Sequence, residues 1–156
     1  MFFGKLRELL SSLAFRLTLW YAGIFAVFSS VAFLLFYTLI TSVLQARIDQ
    51  DLLGQAQRFS AVLANEGIDA VANSAIIEAQ AAGVKKVFFR LLNLNGEVFS
   101  SSNMSYWKDI AVDGKAIGQL LQSQTPVIET IAISNRGEEV RILYAMISPT
   151  TIAQVG

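Results

Sequence analysis

Four groups of residues in this 156-residue chain have types and spacings that chemistry can use. Asp49 and Asp51 stand two apart, as the carboxylates of metal or acid–base sites often do, and Glu138 and Glu139 follow Gly137. Residues two apart on a helix point to different faces, so Asp49 and Asp51 read as a solvated turn and not as one paired site. Glu138 and Glu139 read as turn residues by the same logic. Lys85, Lys86 and Arg90 form a basic group at the start of a predicted strand, with Arg141 placed across the sheet from it. Such a group holds an anionic ligand, sits against lipid headgroups, or is a solvated face with edge-strand lysines. Tyr106 and Trp107 fall on a predicted loop, where large aromatics either cap a small core or line a pocket. Lys85, Arg90, Tyr106, Trp107 and Arg141 are therefore the ligand-binding candidates.

No catalytic, cofactor-binding or metal-ligating residue can be assigned. The chain has no His and no Cys, which removes the commonest general base, thiolate nucleophiles, disulfides and Cys-type zinc sites. Its glycines are scattered singly, with no P-loop or dinucleotide fingerprint. Twelve basic residues balance twelve acidic ones, so no basic stripe exists to displace counterions from a nucleic acid. Charged residues make up only 15% of the chain and hydrophobic ones 54%, with a mean hydropathy of +0.52. Soluble domains usually carry about 25% charge.

The reason is one segment. No charged residue stands between Arg16 and Arg47, and a spanning helix needs only about 20 apolar residues. Residues 17–44 are read as a transmembrane helix. Ser29, Ser30 and Thr38 are tolerable there because hydroxyls bond back to their own helix. Trp20 and Tyr21 at one end and Tyr37 at the other stand roughly 24 Å apart at 1.5 Å per residue, the spacing of interfacial aromatic belts. The run is too long for a cleaved signal peptide. Lys5, Arg7 and Arg16 precede it against Glu8 alone, while Asp49 and Asp51 follow Arg47 closely. This bias places a stub of residues 1–16 in the cytoplasm and residues 45–156 outside. Ala22, Ala26 and Ser30 recur every four residues and offer a smooth stripe for a second helix.

Beyond the span, Leu44, Ile48, Leu52, Phe59 and Leu63 keep the helical period, with Gln55 in register, so the helix is expected to continue to about Asn65. Asn65 and Gly67 stop it, and a second, Ala-rich helix is expected from about Asp69 to Ala82, ending at Gly83. From Val84 the pattern becomes extended, and Asn95-Gly96 predicts a hairpin into Glu97–Ser101. A short helix over Lys115–Gln122 and strands over Val127–Ser134 and Glu138–Ile147 follow, joined by Asn135, Arg136 and Gly137. Val140, Ile142, Tyr144 and Met146 share a face. The fold class is α+β: four strands in a mainly antiparallel sheet, one face covered by the long helix. The last residues, Thr150 to Gly156, read as a cut after a strand.

The order of these parts, with the stretches RLTLWYAGIFAVFSSVAFLLFYTLI, RIDQDLLGQAQRFSAVLA and FFRLLNLNGEVFSSS, resembles the input half of bacterial two-component sensor histidine kinases. The resemblance implies a PAS-like extracytoplasmic sensor domain whose first hairpin is Phe89 to Ser101, on an inner-membrane helix. It also implies a homodimer pairing through about Arg47 to Leu63. ATP and Mg, the phosphoacceptor His and the response-regulator partner would belong to a cytoplasmic core beyond this chain, after a second span, and no cofactor belongs to the chain itself. The alternative is a single-span envelope anchor or interaction protein without signalling output.

Overall fold

A computed structural model describes residues 13–133 and 136–156. The basic stub residues Lys5 and Arg7, with Glu8, and the turn residue Asn135 lie outside them. The chain divides into two compact units at Gln45/Ala46. Helix α1, Leu13–Glu66, contributes to both.

In the first unit, the side chains from Phe15 to Gln45 are exposed on every face, including Phe25, Phe28, Phe33 and Phe36 at 66–75%. An all-round apolar helix of this length is one that bilayer matches and water does not, and α1 is long and apolar enough to cross a membrane. Three of its hydroxyls bond back to the helix: Ser30 donates to the Ala26 carbonyl at 2.8 Å, Thr38 to Leu35 and Thr41 to Tyr37, both at 2.9 Å. The stripe of Ala22, Ala26 and Ser30 is exposed along its length. A shallow groove on this unit runs beside Gly23 instead, lined by Leu19, Trp20, Ile24, Val27 and Phe28.

The second unit is an α+β domain. Gly67, with φ +88°, interrupts the helical path and starts α2, Ile68–Ala82; a side chain there would be strained. Strands β1, Phe89–Leu92, and β2, Val98–Ser101, form the predicted hairpin. Its loop is held by Asn93, whose Oδ1 accepts from the amides of Asn95 and Glu97, each at 2.9 Å. Helix α3, Gly114–Ser123, is capped by Asp113, which accepts from the Lys115 amide at 2.7 Å. Strands β3, Val127–Ile133, β4, Glu138–Ser148, and β5, Thr151–Val155, complete an antiparallel sheet of order β2-β1-β5-β4-β3.

Three expectations are corrected. The sheet has five strands and not four. Residues Thr151–Val155, read as following the last strand, form a fully buried strand between β1 and β4. Such a doubly flanked, doubly covered strand carries no alternation to reveal it. The long helix covers one sheet face as expected, and the other face is covered as well. Leu52, Ala56 and Phe59 of α1 and Val71, Ala75 and Ala79 of α2 pack on Phe89, Leu91, Leu143 and Ala145. On the other face Ile117 and Leu120 of α3, with Trp107 and Ile110, pack on Phe88, Leu92, Ile142, Tyr144 and Ile152. The first strand begins at Phe89, not Val84, because the Gly83 carbonyl accepts from the amides of Lys86 and Val87 and draws Val84–Lys86 into a turn.

Candidate functional site

The five sequence candidates are dispersed. Arg90 and Arg141 occupy opposite faces of the sheet, so no single basic patch forms. Lys85 lies over the Tyr106 ring at 5.6 Å, and Arg136 lies over the same ring at 3.9 Å. The Tyr106 hydroxyl donates to Glu138 at 3.4 Å. Trp107 is buried, its Nε1 donating to the Val84 carbonyl at 2.9 Å. It belongs to the core and also walls a cavity described below.

Arg90 is buried inside the α3 face. Strand register sets it opposite Gln154, and Gln154 opposite Tyr144, so the three side chains form a row across β1, β5 and β4. Arg90 donates to Gln154 Oε1 at 3.2 Å and to the Ile110 carbonyl at 2.8 Å. Gln154 donates to the Tyr144 hydroxyl at 2.9 Å, which also accepts from the Asp113 amide at 3.1 Å. No carboxylate pairs with Arg90 among the described residues, and burial lowers its pKa. Burial also pushes the Tyr144 phenol up to about 12 and raises Glu129, whose Oε1 is buried without a partner. The row is polar, nearly saturated and packed.

Arg141 has a different task. Its Nε and Nη2 donate to the two oxygens of Asp49 at 2.7 and 2.8 Å, and Nη1 donates to Thr130 at 2.7 Å. This two-bond ion pair joins α1 to β4. The hydrogen bonds from Arg141 hold the Asp49 carboxyl below its usual range and raise Arg141 in turn. Asp49, read from sequence as a solvated turn residue, is thus a structural partner. Two apart on a helix correctly kept it from forming a pair with Asp51, but the partner 92 residues away left no local signal.

Next to this clasp is a cavity of about 370 Å³. Ile48, Asp51, Leu52 and Gln55 present one face of α1 to it, as the spacings of three and four require. Lys86, Val87, Trp107 and the start of β4, Glu139 to Arg141, form the other walls, with Gly156 beside them. Gln55 Oε1 is buried without a hydrogen-bond partner, and Asp51, Lys86 and Glu139 form no ion pair among the described residues. Gln55 and Glu139 were not singled out as ligand candidates, and Lys86 was named only as a member of the basic group; only the fold brings the three together. Among the described residues no group of three or more acidic or His side chains could hold a metal ion.

Comparison with known proteins finds no family model and no curated protein that matches this chain.

Proposed function

We propose that the chain is a membrane-anchored, extracytoplasmic signal-sensing module of the kind found at the input end of histidine kinases. Its sheet domain is PAS-like, and residues 17–44 form the transmembrane helix. The observation that carries the reading is the clasp between Asp49 and Arg141. Helix α1 contains the candidate span, and the clasp with the Leu52, Ala56 and Phe59 seam makes its later turns part of the sheet domain. A change in the domain that alters this docking has a physical route to the span, because packed elements switch between discrete arrangements. The hairpin, helical excursion and three-stranded meander support the PAS-like assignment. The kinase core, its ATP and Mg, and the response regulator lie outside the chain in this reading.

The chain has no Cys, so one introduced at Ala26 is a unique handle. In inner membranes, Ala26→Cys is expected to cross-link between protomers, and Arg141→Gln in the same background to change the yield by about twofold through the shifted helix equilibrium. Protease added to spheroplasts should cleave residues after about 45. An unchanged yield, no cross-link at all, or protection of the C-terminal part overturns the reading.

A further inference from the structure

We infer that the cavity beside the clasp binds a small zwitterion with an apolar body, of the α-amino-acid class. Its volume, about 370 Å³, lies within the range of small-molecule sites, and its walls mix apolar surface with a few convergent polar groups. The polar groups decide the class. Arg141 lines the cavity, but its charge is already matched by Asp49. What remains in the lining is one ammonium, Lys86, two carboxylates, Asp51 and Glu139, and the unsatisfied acceptor Gln55 Oε1. A carboxylate ligand without a cation would meet two like charges, and an amine without an anion would leave Lys86 opposing it. A ligand with both groups satisfies all of them: its ammonium donates to Asp51, Glu139 and Gln55 Oε1, and its carboxylate accepts from Lys86. Leu52, Val87, Val140 and the Trp107 ring offer the surface for the rest of the molecule.

The packed row of Arg90, Gln154 and Tyr144 is separate from this cavity; none of the three lines it. Binding is read on the chain itself, so its failure and the failure of the signalling reading are distinguishable. The test is equilibrium dialysis of L-leucine and L-phenylalanine against the full chain in nanodiscs, with empty nanodiscs as blank. Saturable binding at one site per chain is expected for at least one of them. Isopentylamine, which lacks the carboxylate, and isocaproate, which lacks the ammonium, should each bind about tenfold or more weakly than leucine, the weight of one charge-assisted hydrogen bond. Lys86→Gln and Asp51→Asn should each weaken amino-acid binding by about tenfold. Both side chains belong to exposed residues, so neither change threatens the fold. In a Trp20→Phe background, Trp107 is the sole Trp, and its emission should saturate at the same ligand concentration. Absence of saturable binding of both amino acids overturns the inference. So do equal affinity for the amine or for the carboxylate alone, and binding that survives both substitutions.

Discussion

The energetic weight of the Asp49–Arg141 clasp can be worked from its geometry. The two side chains are 27% and 29% exposed and share two short charge-assisted bonds, at 2.7 and 2.8 Å. Exposed pairs contribute roughly 0.2–1 kcal/mol and hydrogen bonds to charged groups about 1.5–3 kcal/mol. A partly screened, two-bond pair falls between, at about 1–2 kcal/mol. A double-mutant cycle of Asp49→Asn and Arg141→Gln, read by denaturant unfolding of the full chain in nanodiscs, should return this coupling. In heat, either single change should lower the midpoint of the sheet domain by about 4–8 °C. The pH dependence has a definite sign. The folded Asp49 carboxyl titrates below its ordinary 3.8, so its contribution is complete above that value and is lost as pH falls through the folded value. Asp49→Asn should flatten that acid arm. Arg141 is raised above its ordinary value, so its share is present below that value and is lost only in stronger alkali. A coupling under about 0.3 kcal/mol, within the range of negligible surface pairs, would refute the clasp as a holding element.

Phe59, almost fully buried, meets the Phe89 ring edge-on at 5.0 Å; Phe59→Ala should cost about 3–5 kcal/mol in denaturant unfolding. Tyr144→Phe leaves the Gln154 amide and the Asp113 N–H without their acceptor and should cost about 1–3 kcal/mol. In the unsubstituted chain Tyr144 should ionise at about 12 in ultraviolet titration. Because the fold retains the proton that the unfolded chain has already lost, stability falls as pH rises from 10.0 toward about 12. Gly96 holds φ +84° in the β1–β2 loop, where an added Cβ would lie 3.0 Å from Ile117 Cδ1; Gly96→Ala should cost about 1–3 kcal/mol in the same unfolding assay.

Local pattern revealed those elements whose environment is one-sided. The helix from Leu17 to about Asn65, the Gly67 break, the Asn95-Gly96 hairpin and the inward set of β4 all follow from period, cap or turn chemistry carried by neighbouring residues. Strand β5 was hidden because Ile152, Ala153 and Val155 are buried irrespective of parity, and Gln154 interrupts the run with a polar residue satisfied only across the sheet. The site was hidden for a related reason. Arg90 and Arg141 look alike in sequence, yet opposite parity on their strands sends one to Gln154 and the other to Asp49. The cavity draws on α1, the Lys86 turn, Trp107, β4 and the end of β5. No spacing rule connects residues whose proximity is created by sheet order.

Arg141 belongs to the clasp and to the cavity wall at once, and this shared side chain ties the two proposals together. A ligand changes a helix equilibrium only as far as it prefers one arrangement of the helix over the other. In the docked arrangement, Asp51 and Gln55 are held opposite Lys86 and Glu139 by the same turns that bring Asp49 to Arg141. Loss of docking would separate Asp51 and Gln55, two of the three acceptors for the ammonium, from Lys86, the donor for the carboxylate, so a zwitterion prefers the docked helix. Linkage then requires reciprocity: the factor by which the clasp tightens the ligand is the factor by which the ligand tightens the clasp. Arg141→Gln should therefore weaken amino-acid binding even though Arg141 itself need make no bond to the ligand. Saturating leucine should in turn recover part of the helix docking that the substitution removes. A substitution that weakens docking and leaves ligand affinity unchanged would show that the cavity and the helix are not energetically coupled, and would leave the ligand without a route to the span.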